Sequence, residues 1–284
     1  YTELVKDWYT NYGQPLPPRL STPEALITRT DWQDEMFKTA LVNEHHVNIG
    51  GGTDNVNYSL SVGYTKQESQ VVDLDYQRAN IRLKLEEKIG KRIRLGQQLN
   101  IRHQVTNGVT ANVLGGLRMP PYIPVYDPDN QLGGFGIVTS ALDGNDTQNP
   151  LIQPSLRDVK SRDLNNYLQL FGELDILKGL KFRSQLGAAY NFGQNYNYNP
   201  TYAGNQLITQ NQISEGYNYN LGYIIENYFT YNTLIKKHSI NLTAGNSYRD
   251  GGVTRSVNLV GSNFANDEIH QIGVAKTVNF SNGR

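Results

Sequence analysis

Residues 45–64 read HHVNIGGGTDNVNYSLSVGY, two runs of alternating apolar and polar residues on either side of a glycine-rich segment. The alternation has the two-residue period of a β-strand, and GGGTDN supplies the residues of a tight turn, so the stretch predicts a β-hairpin. In its second strand the apolar set is Tyr58, Leu60, Val62 and Tyr64. Alternation alone leaves open whether this set faces a protein core or lipid.

The composition excludes several classes of protein. The 284 residues contain 26 basic and 26 acidic side chains, so the chain lacks the basic excess of a nucleic-acid-binding protein. Mean hydropathy is −0.55, and no run approaches the roughly 20 apolar residues of a spanning helix. Low mean hydropathy does not exclude a transmembrane barrel, because the lipid face of a barrel uses only every second residue. The absence of cysteine excludes thiol catalysis, disulfides and thiolate metal sites.

The two-residue period recurs from residue 45 onward and predicts about eight strands. Clear examples are NIRLKL (80–85), LKFRSQLGAAYNF (180–192), GYNYNLGYIIENYFTY (216–231) and SINLTAGNSY (239–248). Residues 1–44 lack this period and are rich in proline. They predict an extended segment with two short helices, at STPEALI (21–27) and TDWQDEMFKTA (30–40).

The connections between the predicted strands alternate in length. Short turns such as GGTDN and EEKIGKR alternate with longer segments, of which those near 107–162 and 194–215 are the longest. Connections of this length are uncommon in compact domains. Outer-membrane barrels have short periplasmic turns and long extracellular loops, so the alternation favours an all-β, antiparallel transmembrane barrel.

Charge on the polar face of the strands points the same way. A water-filled lumen accommodates charged side chains, and we predict that five cations face it. Aromatic residues near the strand ends resemble the two interfacial girdles of a barrel. The alternative from these patterns is a soluble β-sandwich. The predicted lumen-facing residues are Arg82, Lys84, Arg94, Lys181 and Arg183.

Several short motifs occur in a fixed order over residues 30–136. They are TDWQD (30–34), the turn Gly51-Gly52-Thr53, the strand start YQRAN (76–80) and RMPPYIPVYDPDNQLGGFG (118–136). This set resembles the SusC/RagA family of TonB-dependent outer-membrane transporters. Beyond residue 160 the likeness is mainly the generic barrel pattern.

The resemblance implies a barrel of about 22 strands with an N-terminal plug, of which this chain would cover a part. Residues 1–44 would then form an extracellular loop region with short helices, and residues 45–284 a partial barrel. The plug and the TonB-contacting segment would lie outside the chain.

The implied function is TonB-dependent import of a nutrient, such as an oligosaccharide or a peptide, across the outer membrane of a Gram-negative cell. The implied partners are a SusD-like surface lipoprotein, the TonB complex, outer-membrane lipid and the glycan or peptide ligand. A passive porin and a surface-exposed β-rich adhesin remain alternatives. Neither enzymatic activity nor a cofactor is expected.

Tyrosine rings in the long loops are candidates for ligand contact, because rings stack on sugars and peptides; loop packing is the alternative role. A metal site is not expected: adjacent residues in a strand point to opposite faces, so His45 and His46 cannot chelate together. The sequence also lacks the GxSxG motif of a serine hydrolase. The candidate ligand-contacting residues are Tyr122, Tyr126, Tyr196, Tyr198 and Tyr202.

Overall fold

A computed structural model describes residues 1–283 as one large antiparallel sheet with a layer of loops at one end. Nine strands pair in the order β1-β2-β3-β4-β5-β6-β9-β10-β11, and β7 and β8 form a separate two-stranded ribbon. The strands are β1 (Val42–Gly52), β2 (Val56–Glu68), β3 (Leu74–Ile89), β4 (Ile93–Gly108), β5 (Asp158–Leu177), β6 (Leu180–Asn199), β7 (Tyr202–Ala203), β8 (Leu207–Ile208), β9 (Gln212–Ile235), β10 (His238–Ser262) and β11 (Thr277–Gly283).

The helices are short and all lie outside the large sheet. They are α1 (Thr2–Asn11), α2 (Glu24–Ile27), α3 (Trp32–Met36), α4 (Val113–Arg118), α5 (Ser140–Asp143) and α6 (Ile152–Leu156), with 3-10 turns at Pro18–Ser21 and Ile272–Val274. The helices expected at STPEALI and TDWQDEMFKTA correspond to α2 and α3. Among residues 1–283 no helix has both the length and the apolar character needed to cross a membrane.

The sheet has one strand more than the eight that the alternation predicts. The additional strand, β11, pairs with the last seven residues of β10, from Ser256 to Ser262. This part of β10 was not predicted because a register shift between Asp250 and Val253 interrupts the two-residue period. The sheet also begins earlier than expected, at Val42. Arg284, the last residue of the predicted barrel segment, lies outside the described residues.

The connections divide between the two ends of the strands. Residues 53–55, 90–92, 178–179 and 236–237 form tight turns at what we call the short-turn end. Residues 69–73, 109–157, 200–211 and 263–276 connect strands at the opposite, long-loop end. The 69–73 connection is shorter than the sequence pattern suggests. At Gly179, φ is +85° and an added Cβ would lie 2.2 Å from the carbonyl oxygen of Asn232, so the tight turn requires glycine.

One face of the sheet is largely apolar. The register places Val62, Ile81 and Ile101 in one row across β2, β3 and β4, and Leu60, Leu83 and Leu99 in the next row. These side chains are half-exposed rather than covered by another layer; Ile81, for example, is 43% exposed. The apolar positions of the opening hairpin therefore do not pack against a core among the described residues.

The apolar face has the height of a membrane-spanning band. On β3 this face runs from Ala79 to Ile89 with one charged interruption at Glu87, about 33 Å along the strand at about 3.3 Å per residue. A strand tilt of about 40° reduces this to a height of about 25 Å, the usual height of the apolar band of an outer-membrane barrel.

The buried residues lie mainly in what we call the loop layer, formed by residues 1–41, 109–157, 200–211 and 263–276. One cluster includes Leu20, Trp32, Met119 and Ile123, and a second joins Met36 to residues of the 109–157 and 200–211 segments. A third covers the ends of β6 and β9. The chain thus combines a single-layer sheet with a compact, well-packed loop layer at its long-loop end.

Candidate functional site

The polar face of the sheet carries a charged cluster near the short-turn end. The register places Arg94, Glu173 and Arg183 side by side on β4, β5 and β6. Glu173 pairs with Arg94, and its carboxylate oxygens lie 3.2 Å from Lys181 Nζ and 3.7 Å from an Arg183 guanidinium nitrogen. Lys181 Nζ also lies 3.0 Å from Asp175. Three cations therefore share two carboxylates, which leaves a net charge of +1.

An aromatic ring lies over the backbone beside this cluster. The guanidinium of Arg183 stacks 3.7 Å from the ring centroid of Phe171, a cation–π contact. The same ring covers Gly96 of the neighbouring strand, where an added Cβ would lie 2.0 Å from the ring. The ring thus packs against β4 at Gly96 and contacts Arg183. Sequence alternation could not identify this residue because Phe171 is an aromatic side chain on the polar face.

The middle of the polar face is lined by amides and guanidinium groups. One row across five strands consists of Asn80, Arg102, Asn165, Asn191 and Asn220. In the next row Arg82 Nε donates a 2.9 Å hydrogen bond to Asn100. Together these rows line a shallow depression of about 610 Å³. Such a surface offers hydrogen-bond donors and acceptors to a polar occupant of a lumen.

All five predicted lumen cations lie on this polar face. Arg82 belongs to the middle rows, and Lys84 pairs with Glu86 at 3.1 Å one row below. Arg94, Lys181 and Arg183 belong to the charged cluster. Their contact with a plug or a ligand stays a prediction.

Three of the five predicted ligand tyrosines are buried in the loop layer. Tyr122 is 3% exposed and packs in the cluster of Trp32. Tyr198 is also 3% exposed and donates hydrogen bonds to Asp267, while Tyr202 accepts one from the Gln153 amide. In this structure these rings stabilise loop packing.

The other two tyrosines are more accessible. Tyr126 is 65% exposed, and its ring lies 5.2 Å from that of Phe135. Tyr196 is partly buried on the apolar side of β6, where Lys160 Nζ lies 5.8 Å from its ring centroid. Ligand contact by any of the five tyrosines stays a prediction.

Two of the quoted motifs bind each other in the loop layer. Trp32 Nε1 of TDWQD donates a 3.0 Å hydrogen bond to the Pro120 carbonyl of RMPPY. The Thr30 backbone amide donates a 2.8 Å hydrogen bond to the Pro121 carbonyl, and the Thr30 hydroxyl donates one of 2.6 Å to the Ile123 carbonyl. Asp31 caps α3 by accepting hydrogen bonds from the backbone amides of residues 33 and 34.

Several structurally important polar residues of the loop layer were not identified from the sequence. Asp267 accepts hydrogen bonds from Tyr198, Thr201 and Asn211, and so ties the 200–211 and 263–276 segments together. These hydrogen bonds outweigh burial and hold the pKa of Asp267 below its usual range. No local motif marks the residue, because its partners are distant in sequence.

Asp143, a fully buried carboxylate of the loop layer, behaves in the opposite way. The side chain of Asp143 is inaccessible to solvent, and Arg19 Nε lies 3.0 Å from its Oδ1. Burial raises the pKa of Asp143, although the backbone amide of Thr139 and the Arg19 guanidinium both favour the charged form. The pair joins the 3-10 turn at Pro18–Ser21 to α5.

Comparison with known proteins links this architecture to a transporter family. No protein-family model matches the chain. It is 28% identical over 250 residues to the TonB-dependent receptor SusC of Bacteroides thetaiotaomicron, covering 74% of the chain and 24% of that receptor. It is 25% identical over 232 residues to the TonB-dependent receptor P3 of Formosa agariphila, covering 78% of the chain and 22% of that receptor.

The fold has a solved counterpart. The RagAB peptide transporter superposes on 99% of this chain with a TM-score of 0.72 and 18% identity, over 33% of the transporter chain. The chain is SusC/RagA-like. Its sheet is part of the wall of an outer-membrane β-barrel, and the wall is not closed within residues 1–283 because β1 and β11 are edge strands.

The SusC/RagA-like chain spans about a quarter of the length of the curated relatives it matches. Those relatives are named as receptors, and the solved counterpart as a transporter; none of the three names describes an enzyme. In outer-membrane barrels the apolar face of the wall contacts lipid and polar residues line the lumen, so the lumen-facing position of the five cations stays a prediction.

Proposed function

We propose that this SusC/RagA-like segment works as part of a TonB-dependent importer that carries a nutrient, such as an oligosaccharide or a peptide, across the outer membrane. The observation that carries the proposal is the nine-stranded wall with one apolar and one charged face, matched over 99% of the chain by the RagAB peptide transporter. The sequence similarity to two TonB-dependent receptors supports the same function.

In this proposal the two faces of the wall have different tasks. The apolar face contacts lipid, and the charged cluster around Glu173 contacts a plug at the short-turn, periplasmic end. The amide-rich rows above the cluster border the path that opens when TonB pulls on the plug. The net positive charge of the cluster suits acidic groups on the plug surface.

The loop layer is assigned to the extracellular side. Its packed core holds the long segments in one arrangement, as a surface that receives ligand or partner requires. Several large apolar side chains of this layer remain exposed, including Leu4 at 74% and Trp8 at 51%. We assign this exposed part of the layer to contact with a SusD-like surface lipoprotein.

A transport assay tests the proposal. Cells that express the natural protein containing this chain as their only route for a labelled oligosaccharide or peptide should accumulate it, and deletion of TonB should abolish uptake. Uptake that persists without TonB would support a passive porin instead. A purified protein that stays soluble and monomeric without detergent would support the adhesin alternative.

A further inference from the structure

A cleft on the lipid side of the wall, close to the long-loop end, has the composition of a polar binding site. It is lined by side chains of β5 and β6 together with His270 from the 263–276 segment, and its volume is about 300 Å³. Its lining residues are Asp158, Lys160, Arg162, Gln194, Tyr196 and His270.

The register places this cleft on the apolar face rather than on the lumen side. Leu164 pairs with Phe192 in the last apolar row of β5 and β6. Arg162 and Lys160 are the next two residues on the same face of β5, because alternate residues share a face. With about 6.6 Å between such residues and a tilt of about 40°, the two cations lie about 5 and 10 Å beyond the apolar band. This is the level of lipid headgroups.

The charges of the cleft favour an anion. Arg162 is exposed and forms no ion pair with another described residue. Lys160 Nζ lies 2.9 Å from Asp158 and over the ring of Tyr196. The Asp158 carboxylate therefore partly neutralises the charge of Lys160. The six lining residues carry a net charge of +1 with Asp158 counted and His270 neutral. Glu215, which pairs with Tyr196 from β9, lies beside the cleft and accepts a hydrogen bond from the Tyr217 hydroxyl.

We propose that this cleft binds the phosphate-bearing headgroup of an outer-leaflet lipid. Arg162 and Lys160 provide the charge-assisted donors that phosphate oxygens accept, and the acyl chains continue along the adjoining apolar rows. Continuity with the lipid-facing surface favours a membrane lipid over a soluble anion. The inference rests on the proposed orientation of the barrel, with the long-loop end at the outer leaflet.

A lipid-binding measurement on the natural protein in detergent, after removal of bound lipid, tests the proposal. The probe is phosphorylated lipid A, compared with the same lipid after removal of its phosphates. Replacing Lys160 and Arg162 by glutamine should lower the affinity for the phosphorylated form by about fivefold for each charge lost. Asp158→Asn should raise the affinity for phosphorylated lipid A, because the competing carboxylate is removed.

Lys66→Gln is the matched control. Lys66 lies on the same face and in the same row as Arg162, through Gln77 and Val105, but outside the cleft. We expect little change in lipid A affinity for this variant. A loss per charge equal to that of the cleft variants would overturn the proposal and show that any surface cation attracts the lipid. Equal affinity for the dephosphorylated lipid, or unchanged binding by the double variant, would also overturn it. Displacement of lipid A by millimolar inorganic phosphate would show a free-anion site instead.

The outcome is separable from that of the transport assay. The Lys160→Gln/Arg162→Gln variant should retain TonB-dependent uptake, because neither residue faces the lumen. Its folding is checked independently by the heat-dependent electrophoretic shift that folded barrels show. Loss of lipid binding with retained uptake supports the proposal, and retention of both contradicts it.

Discussion

Trp32 and Pro120, which are 88 residues apart, are joined by a 3.0 Å hydrogen bond from the indole nitrogen to a carbonyl oxygen. The bond is buried, and Trp32 is 5% exposed. It connects the segment before β1 with the longest connection of the sheet. The TDWQD and MPPY motifs therefore form one contact in the loop layer.

Removing this contact should loosen the 109–157 segment. Trp32→Phe keeps an aromatic ring but leaves the Pro120 carbonyl without its buried donor, which costs about 1–3 kcal/mol. Hydrogen exchange at the backbone amides of the non-proline residues in 118–124 should become faster in the variant. Trp8→Phe is the matched control, because Trp8 is 51% exposed and should tolerate the change. Equal exchange in both variants would show that the bond does not hold the segment.

The assignment of the two faces predicts opposite results for two neighbouring positions on β5. Leu168 lies on the apolar face and Gln169 on the polar face, both near the middle of the strand. Leu168→Arg should destabilise the membrane-inserted barrel by about 2–4 kcal/mol, because the charge meets lipid near the midplane. Gln169→Arg should have a small effect. Unfolding in denaturant after reconstitution into lipid measures the stability of both variants. A larger loss for Gln169→Arg than for Leu168→Arg would invert the assignment of the two faces.

Glu173 should be the most sensitive member of the charged cluster. Its side chain is 11% exposed and contacts Arg94, Lys181 and Arg183, so Glu173→Gln leaves three neighbouring cations with one carboxylate. We expect a loss of about 1–3 kcal/mol in the free energy of unfolding. Asp175→Asn is the control, because Asp175 is 44% exposed and pairs only with Lys181 among the described residues. Similar losses would argue against a shared role for Glu173.

Acid should separate the 263–276 segment from the 200–211 segment. The folded-state pKa of Asp267 is depressed, so its stabilising effect is complete above the unfolded value of about 3.9 and is lost as pH falls through the folded value. Hydrogen exchange, corrected for its intrinsic pH dependence, should show the two segments opening together below about pH 4. Asp267→Asn should remove this acid dependence.

Asp143 provides an internal comparison for that experiment. Its pKa is raised by burial, so protonation favours the folded state and lowering the pH through its folded value strengthens the local structure. Residues 139–144 should therefore not open with the Asp267 contact. Simultaneous opening would indicate general acid unfolding instead of titration of Asp267.

Local patterns in the sequence predicted the all-β fold, the two faces of the strands and the family resemblance. Alternation with period two is a local property, and the register confirmed that the apolar residues 58, 60, 62 and 64 of the opening stretch share one face with those of β3 and β4. The turn at GGGTDN also depends on neighbouring residues alone. The Thr53 hydroxyl accepts hydrogen bonds from the backbone amides of residues 55 and 56, and these bonds close the turn.

The features that the sequence did not predict depend on contacts between segments that are distant along the chain. The extension of β10 and its pairing with β11 follow a register shift that alternation cannot cross. The burial of Tyr122, Tyr198 and Tyr202, and the hydrogen bonds of Asp267, exist only once four long segments pack together. The cleft of Lys160 and Arg162 appears for the same reason, because the segment carrying His270 folds over the end of the sheet.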